Sequence, residues 1–238
     1  MTINHIFKIH PFFYIVAIIC IITGHFKYFL FLTILILFHE IGHTLAATIC
    51  KWKIEKIIIM PFGGLTIFEN KINNSLKQEL FVVLLGPIFQ LIIGLFIKDT
   101  NLLNIHYSLL IFNLIPIYPL DGSKIINIFS NYFLSFYNSL KLTIYLSYIM
   151  IILVLIKYSN ALLYLIILLL IQKVIIEHKK IKEIFNKFLL ERYIYNFNYK
   201  KTKKITNLKQ MKLYKKHLFK IKNTWITEKE MLKKIFDK

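Results

Sequence analysis

The residues whose types and spacing suit chemistry lie together at His39-Glu40-Ile41-Gly42-His43. Histidines four positions apart share one face of an α-helix, roughly 6 Å from each other, close enough to grip one metal ion. Neutral imidazoles are nitrogen donors that zinc accepts, although two histidines and a carboxylate also suit iron. Glu40 is next to the first histidine and can reach a water at the ion, where a carboxylate outside the ligand set acts as a general base. Zinc in such a place brings the pKa of its water to about 7 and polarises a carbonyl awaiting attack. The motif falls inside an apolar run, Tyr28–Cys50. A carboxylate near a bilayer centre costs roughly 2.5–3.5 kcal/mol on insertion scales, so Glu40 in that setting needs a reason.

A catalytic zinc takes three protein ligands and keeps one position open. Among the acids near apolar segments, Glu55, Glu69 and Glu79 lie in a loop or at a segment edge, and Asp99 flanks a segment. The remaining candidate is Asp121, in Asn113-Leu114-Ile115-Pro116-Ile117-Tyr118-Pro119-Leu120-Asp121-Gly122. The alternative for Asp121 is a helix cap or turn residue in Pro-Leu-Asp-Gly. Asn113, at the start of the segment that ends in Gly122, suits a hydrogen bond between two helices. His5, His10, His25, His106, His178 and His217 lack ligand spacing and read as structural or solvated. Cys20 and Cys50 read as buried apolar residues and not as a disulfide framework.

The elements that must position these groups are apolar helices. The chain of 238 residues is 57% hydrophobic and 18% charged, which is shifted toward membrane composition and excludes wholesale disorder. Six apolar segments stand out, roughly Phe12–Ile22, Tyr28–Cys50, Leu80–Ile97, Ile105–Pro119, Leu142–Ile156 and Ala161–Ile176. The second and third are long enough to span a bilayer unaided. The fourth should break near Pro116 and Pro119, which a membrane tolerates only where protein or a watery cavity satisfies the freed backbone. The N-terminal run has no small-residue cleavage site after it and reads as a retained anchor. With six spans, Lys8, Lys51, Lys53, Lys56, Lys71, Lys77, Lys124 and Lys141 fall on one side, against Lys27, Lys98 and Lys157 on the other. That asymmetry puts both termini in the cytoplasm. His39, His43 and Asp121 would then approach the cytoplasmic face at similar depth.

Between the second and third segments, the β-branched stretch Ile54–Met60, the turn Pro61-Phe62-Gly63-Gly64 and apolar Leu65–Phe68 read as a short β-hairpin. The formal charge of +19 is concentrated at the end of the chain, where Glu177–Lys238 alone contributes +13. That region should begin as a mixed-charge helix to about Tyr195 and continue as a small α+β unit. Its lysines suit anionic lipid headgroups, a soluble part of a substrate or plain solvation. No nucleic-acid motif accompanies them. The fold expected is therefore an all-α polytopic membrane protein of about six transmembrane helices, with a membrane-associated hairpin and a small basic cytoplasmic tail. Residues 1–176 form the membrane domain and residues 177–238 the tail.

His-Glu-x-x-His in a span, followed by Asn-x-x-Pro-x-x-Pro-Leu-Asp-Gly, resembles the site-2 protease family of intramembrane zinc metalloproteases, and most of all its sporulation branch. The resemblance covers about Phe31 to Lys124. It implies one zinc ion held by His39, His43 and Asp121, with Glu40 as catalytic base. It also implies that Asn113 orients substrate or backbone near the metal and that the hairpin with Phe62, Gly63 and Gly64 dips into the membrane. There its exposed edge could pair with an extended substrate strand; the alternative is an ordinary surface hairpin. The implied substrate is a membrane-associated protein, the sigma-factor precursor pro-sigma-K, cut on the mother-cell side of a spore-former, and the implied partners include membrane-bound inhibitors. The segment Phe188-Leu189-Leu190-Glu191-Arg192-Tyr193 resembles that branch too, and Thr202–Lys238 resembles a degenerate nucleotide-sensing CBS unit. Two departures stand out: Gln90 replaces the asparagine of the family's Gly-Pro-x-x-Asn, and Ser123 replaces a common glycine. Gln90 keeps the amide, but its extra methylene puts a close positioning role in question. Outside the family, the same residues would suit a metal or proton transporter using His39, Glu40, His43 and Asp121 as a relay, or a catalytically silent adaptor working through its tail.

Overall fold

The computed structural model describes residues 7–61, 63–68, 72–157, 161–195, 197, 199–221 and 224–237. They are mostly helical, with two small sheets, and the chain separates into two compact units. The first unit is Met1–Asn70 with Lys77–Leu114, and the second is Lys71–Leu76 with Ile115–Lys238.

In the first unit, strand β1 (Phe7–Ile9) leads into helix α1 (Pro11–Ile22) and then α2 (Phe26–Ile49). Pro11 opens α1, where a missing N–H costs nothing, and His10 Nδ1 caps the turn by accepting from the Phe12 N–H at 3.3 Å. Helix α2 carries the His-Glu-x-x-His motif. Its buried residues are Phe29, Leu35, Ile36, His39, Glu40, Gly42, His43, Ala46 and Ala47, a stripe at the three-to-four spacing of a single helix face. The opposite face shows Ile34, Phe38, Ile41 and Leu45, each about 40% exposed. A helix apolar all round with only one stripe covered fits a bilayer, where lipid takes the other face.

The hairpin forms where the β-branched run places it. Strands β2 (Ile54–Met60) and β3 (Gly63–Phe68) pair antiparallel, with Ile57 opposite Thr66 and Met60 opposite Gly63. β1 adds to β2 in parallel, Phe7 opposite Ile57, so the sheet order is β1-β2-β3. The connection onward leads to α3 (Leu76–Gly94), with Pro87 in its interior, and to α4 (Thr100–Leu114). Leu35, Ile36 and Leu109 form one core cluster, and Ala46, Ala47 and Val82 another, capped by Trp52 and Phe68. Gly42 lets α3 approach: a Cβ there would collide with the Leu85 and Gly86 backbone. Small residues give membrane helices this kind of close contact.

The second unit contains α5 (Asp121–Phe133), α6 (Phe136–Lys157) and α7 (Ala161–Ile194), then a three-stranded sheet and α8 (Glu228–Phe236). The strands are β4 (Thr202–Ile205), β5 (Lys216–Ile221) and β6 (Thr224–Thr227), with β4 parallel and β6 antiparallel to β5. Side-chain hydrogen bonds tie α5 to α6: Ser130 Oγ to Ser139 Oγ at 2.7 Å, and Asn127 Nδ2 to Thr143 Oγ1 at 3.1 Å. The expected mixed-charge helix is present, but as one continuous helix with the last apolar segment, 34 residues in all. The small unit beyond it buries Met211, Phe219 and Leu232 completely.

Among the described residues, three helices are long and apolar enough to cross a membrane: α2, α3 and α6. The first apolar segment yields a helix of 12 residues and the fourth one of 15, ending at Leu114 ahead of Pro116 as its prolines require.

Candidate metal centre

His39 and His43 stand one helical turn apart on α2, and each ring is fixed by its far nitrogen. His43 Nδ1 lies 2.8 Å from the Val82 carbonyl, which can only accept, so Nδ1 carries the proton. His39 Nδ1 lies 2.9 Å from Gln90 Oε1, while Gln90 Nε2 donates to the His106 carbonyl at 3.2 Å. That second bond orients the amide, so Gln90 Oε1 accepts and His39 Nδ1 is also protonated. Both Nε2 atoms are therefore left as lone-pair donors, and they point at each other across 3.1 Å. Two lone pairs at that distance repel unless a proton or a cation lies between them. The donor set therefore fits a zinc ion, whose ligating histidines are held by a carbonyl or amide on the other nitrogen. Gly86 belongs to the same construction, because a Cβ there would collide with the His43 ring.

Glu40 is buried beside the histidines. The Thr66 hydroxyl on β3 donates to its Oε2 at 2.5 Å. Gly64, on the same strand, leaves room for the Glu40 side chain. Gly63 has nothing within 4 Å of a notional Cβ. Phe62, also expected near substrate, lies outside the described residues.

Asp121 opens α5 in the second unit and is buried. Leu120, not Asp121, is the N-cap residue of that helix. Negative charge in the first turn is favoured by the helix dipole, and Lys124 Nζ meets Asp121 Oδ1 at 2.9 Å. The segment leading to Asp121 is anchored to α6: the Tyr118 N–H donates to Ser147 Oγ at 3.0 Å, and Ser147 is fully buried. Asn113 is buried on the last turn of α4.

The other acids have different occupations. Asp99 caps α4, accepting from the Asn101 N–H at 2.8 Å. Glu55 is exposed on β2, and Glu69 lies outside the described residues. Cys20 and Cys50 are free thiols. His217 is buried in the small C-terminal unit, where Nδ1 donates to Glu228 at 2.9 Å and Nε2 accepts from the Lys212 N–H at 3.0 Å. Burial holds this imidazole below its usual range, with Glu228 pulling partly the other way. Thr66, Gln90 and Ser147 are the residues that sequence reasoning missed or doubted. Each acts through a partner distant in the chain, and only the preserved amide of Gln90 gave a signal.

Comparison with known proteins points the same way. Residues 27–98 match the family described as Peptidase family M50. The chain is 33% identical over 130 residues to Stage IV sporulation protein FB of Bacillus subtilis (strain 168), covering 50% of this chain and 45% of that protein. It is 34% identical over 113 residues to a protein named as a zinc metalloprotease from Methanocaldococcus jannaschii, covering 41% of this chain and 32% of that one. The chain thus spans less than half the length of these curated relatives. Among solved structures it is similar to a site-2 protease from Methanocaldococcus jannaschii, with a TM-score of 0.55 and 26% identity over 74% of this chain and 93% of that one. The resemblance to the site-2 protease family read from the sequence is borne out.

Proposed function

We propose that the chain is an intramembrane zinc metalloendopeptidase that cuts a membrane-associated protein near the cytoplasmic face. The observation that carries this reading is the pair of Nε2 lone pairs converging on one point with a buried carboxylate on the same helix face. His39 and His43 hold the ion through these atoms, and Asp121 supplies the third ligand. Zinc bound there supplies Lewis acidity toward a water and a peptide carbonyl. Gln90 and the Val82 carbonyl keep both imidazoles in the tautomer that carries its proton on Nδ1 and its lone pair on Nε2. Glu40 takes the proton of the attacking water and returns it to the departing amine. The apolar helices keep bulk water from the site, and Asn113 and the hairpin residues Phe62, Gly63 and Gly64 hold the substrate.

Six spans with both termini in the cytoplasm complete the proposal, on the lysine asymmetry between successive loops. The likeness to Stage IV sporulation protein FB supports pro-sigma-K as substrate, and the family resemblance read from the sequence adds a membrane-bound inhibitor as partner. Co-expression with pro-sigma-K tests the whole reading. The wild type should produce a shorter product by gel mobility, and Glu40→Gln should produce none while retaining its zinc. Full processing by Glu40→Gln would overturn the mechanism.

A further inference from the structure

Strand β3 touches the Glu40 carboxylate at two points. Thr66 donates its hydroxyl to Oε2 at 2.5 Å, and both residues are buried. Gly64 lies two residues earlier on the same strand face. A Cβ at that position would overlap Glu40 Cγ, Cδ and Oε1, so the absence of a side chain is what leaves the carboxylate its place. The strand is located by its ladder to β2, Ile57 opposite Thr66 and Ile59 opposite Gly64, and by Phe68 packing against Ala46 and Ala47 of α2.

A glutamate has three side-chain torsions, and a general base works only when its free oxygen lies within hydrogen-bond reach of the proton it removes. Helix α2 fixes where Glu40 starts but not where its carboxylate ends. We infer that Thr66 is the positioning residue for the Glu40 base, with Gly64 providing the clearance, so that strand β3 sets the direction of the reactive oxygen. Holding Oε2 leaves Oε1 to take the proton. This role is separate from any contact between the hairpin and substrate, and it rests on the protease reading above.

The test uses the full chain purified in detergent, with pro-sigma-K as the substrate probe. Thr66→Val keeps the β-branched shape and removes the donor. It should lower kcat about 10- to 100-fold, as loss of a supporting hydrogen bond at a metal site does. An unchanged KM and zinc content against wild type then locate the loss in catalysis. Thr66→Ser restores the hydroxyl and should recover most of the rate. Gly64→Ala should reproduce the kcat defect from the other contact point, and it decides the matter if Thr66→Val does not accumulate. A wild-type kcat in Thr66→Val or Gly64→Ala overturns the inference. So does a raised KM at constant kcat, or a Thr66→Ser variant as slow as Thr66→Val. If the wild type leaves the probe intact, the protease reading fails. The Thr66–Glu40 bond is then read by melting temperature alone. Thr66→Val should cost about 2–4 °C beside Glu40 and nothing beside Glu40→Ala, and equal shifts in the two backgrounds overturn it.

Discussion

At the scale of single residues, the site depends on what the far side of each imidazole touches. The histidines and Glu40 are legible in the sequence because a helix has a fixed pitch: positions 39 and 43 must face together wherever the segment folds. Gln90 is not legible in the same way. Its extra methylene, measured against asparagine, looks like a handicap until the fold shows a span to cross, from the His39 ring to the His106 carbonyl. Gln90 is fully buried, so replacing it by Leu removes the acceptor that its Oε1 gives to the His39 ring N–H. We expect Gln90→Leu to weaken zinc binding about 10- to 100-fold, measured by competition with a chromophoric chelator. Unchanged affinity would mean that the bond orients nothing.

At the scale of elements, the hairpin was readable from its β-branched run and the Pro-Phe-Gly-Gly signal after it, although Gly63 and Gly64, expected in the turn, open strand β3. Strand β1 was not, because the alternation in Phe7-Lys8-Ile9 is only three residues long and pairs with a strand about fifty positions away. Helix α5 was missed because its small polar residues, Ser130 and Asn131 among them, become a buried face only once α6 supplies Ser139 and Thr143. The C-terminal sheet was expected as a small α+β unit, and its polar centre explains how so little core holds. Arg192 Nε donates to Glu228 at 2.6 Å and Nη2 to the Lys215 carbonyl at 2.6 Å. Burial alone would raise the Glu228 carboxyl, but His217 and Arg192 together bring it below its usual range. His217 is lowered by burial, and protonating its Nε2 would break the bond from the Lys212 N–H. Both shifts have one consequence. Below the ordinary histidine value of 6.5 the unfolded chain binds a proton at His217 that the folded unit refuses, and acidification below the folded value of Glu228 removes that group's contribution too. The unit should therefore lose stability as pH falls from about 7 to 5. Hydrogen exchange of residues 211–221 should speed up over that interval beyond the intrinsic pH effect. Protection that holds or rises on acidification would contradict the assignment of a neutral His217.

At the scale of the whole molecule, composition carried most of the weight. Exposed apolar faces on α2, α3 and α6 and the accumulation of lysine after Glu177 together describe a lipid-facing body with a charged tail. Segment lengths were less informative, since short apolar helices such as α1 and α4 look alike whether they cross a bilayer or lie within it. Membrane-impermeant maleimide settles the orientation in a chain whose Cys20 and Cys50 have been replaced by Ser. Lys8→Cys and Lys220→Cys should be shielded in intact cells and Lys98→Cys should react. Labelling at position 220 from outside would reverse the topology.

The ion itself offers the most direct trial. Zinc-edge X-ray absorption on the purified chain should find one ion per chain with two imidazole nitrogens at about 2.0–2.1 Å and a carboxylate oxygen. Asp121→Ala should lose the oxygen or the ion, and His43→Ala the ion. A wild-type chain that takes up no zinc, or an Asp121→Ala spectrum identical to wild type, would contradict a centre built from His39, His43 and Asp121.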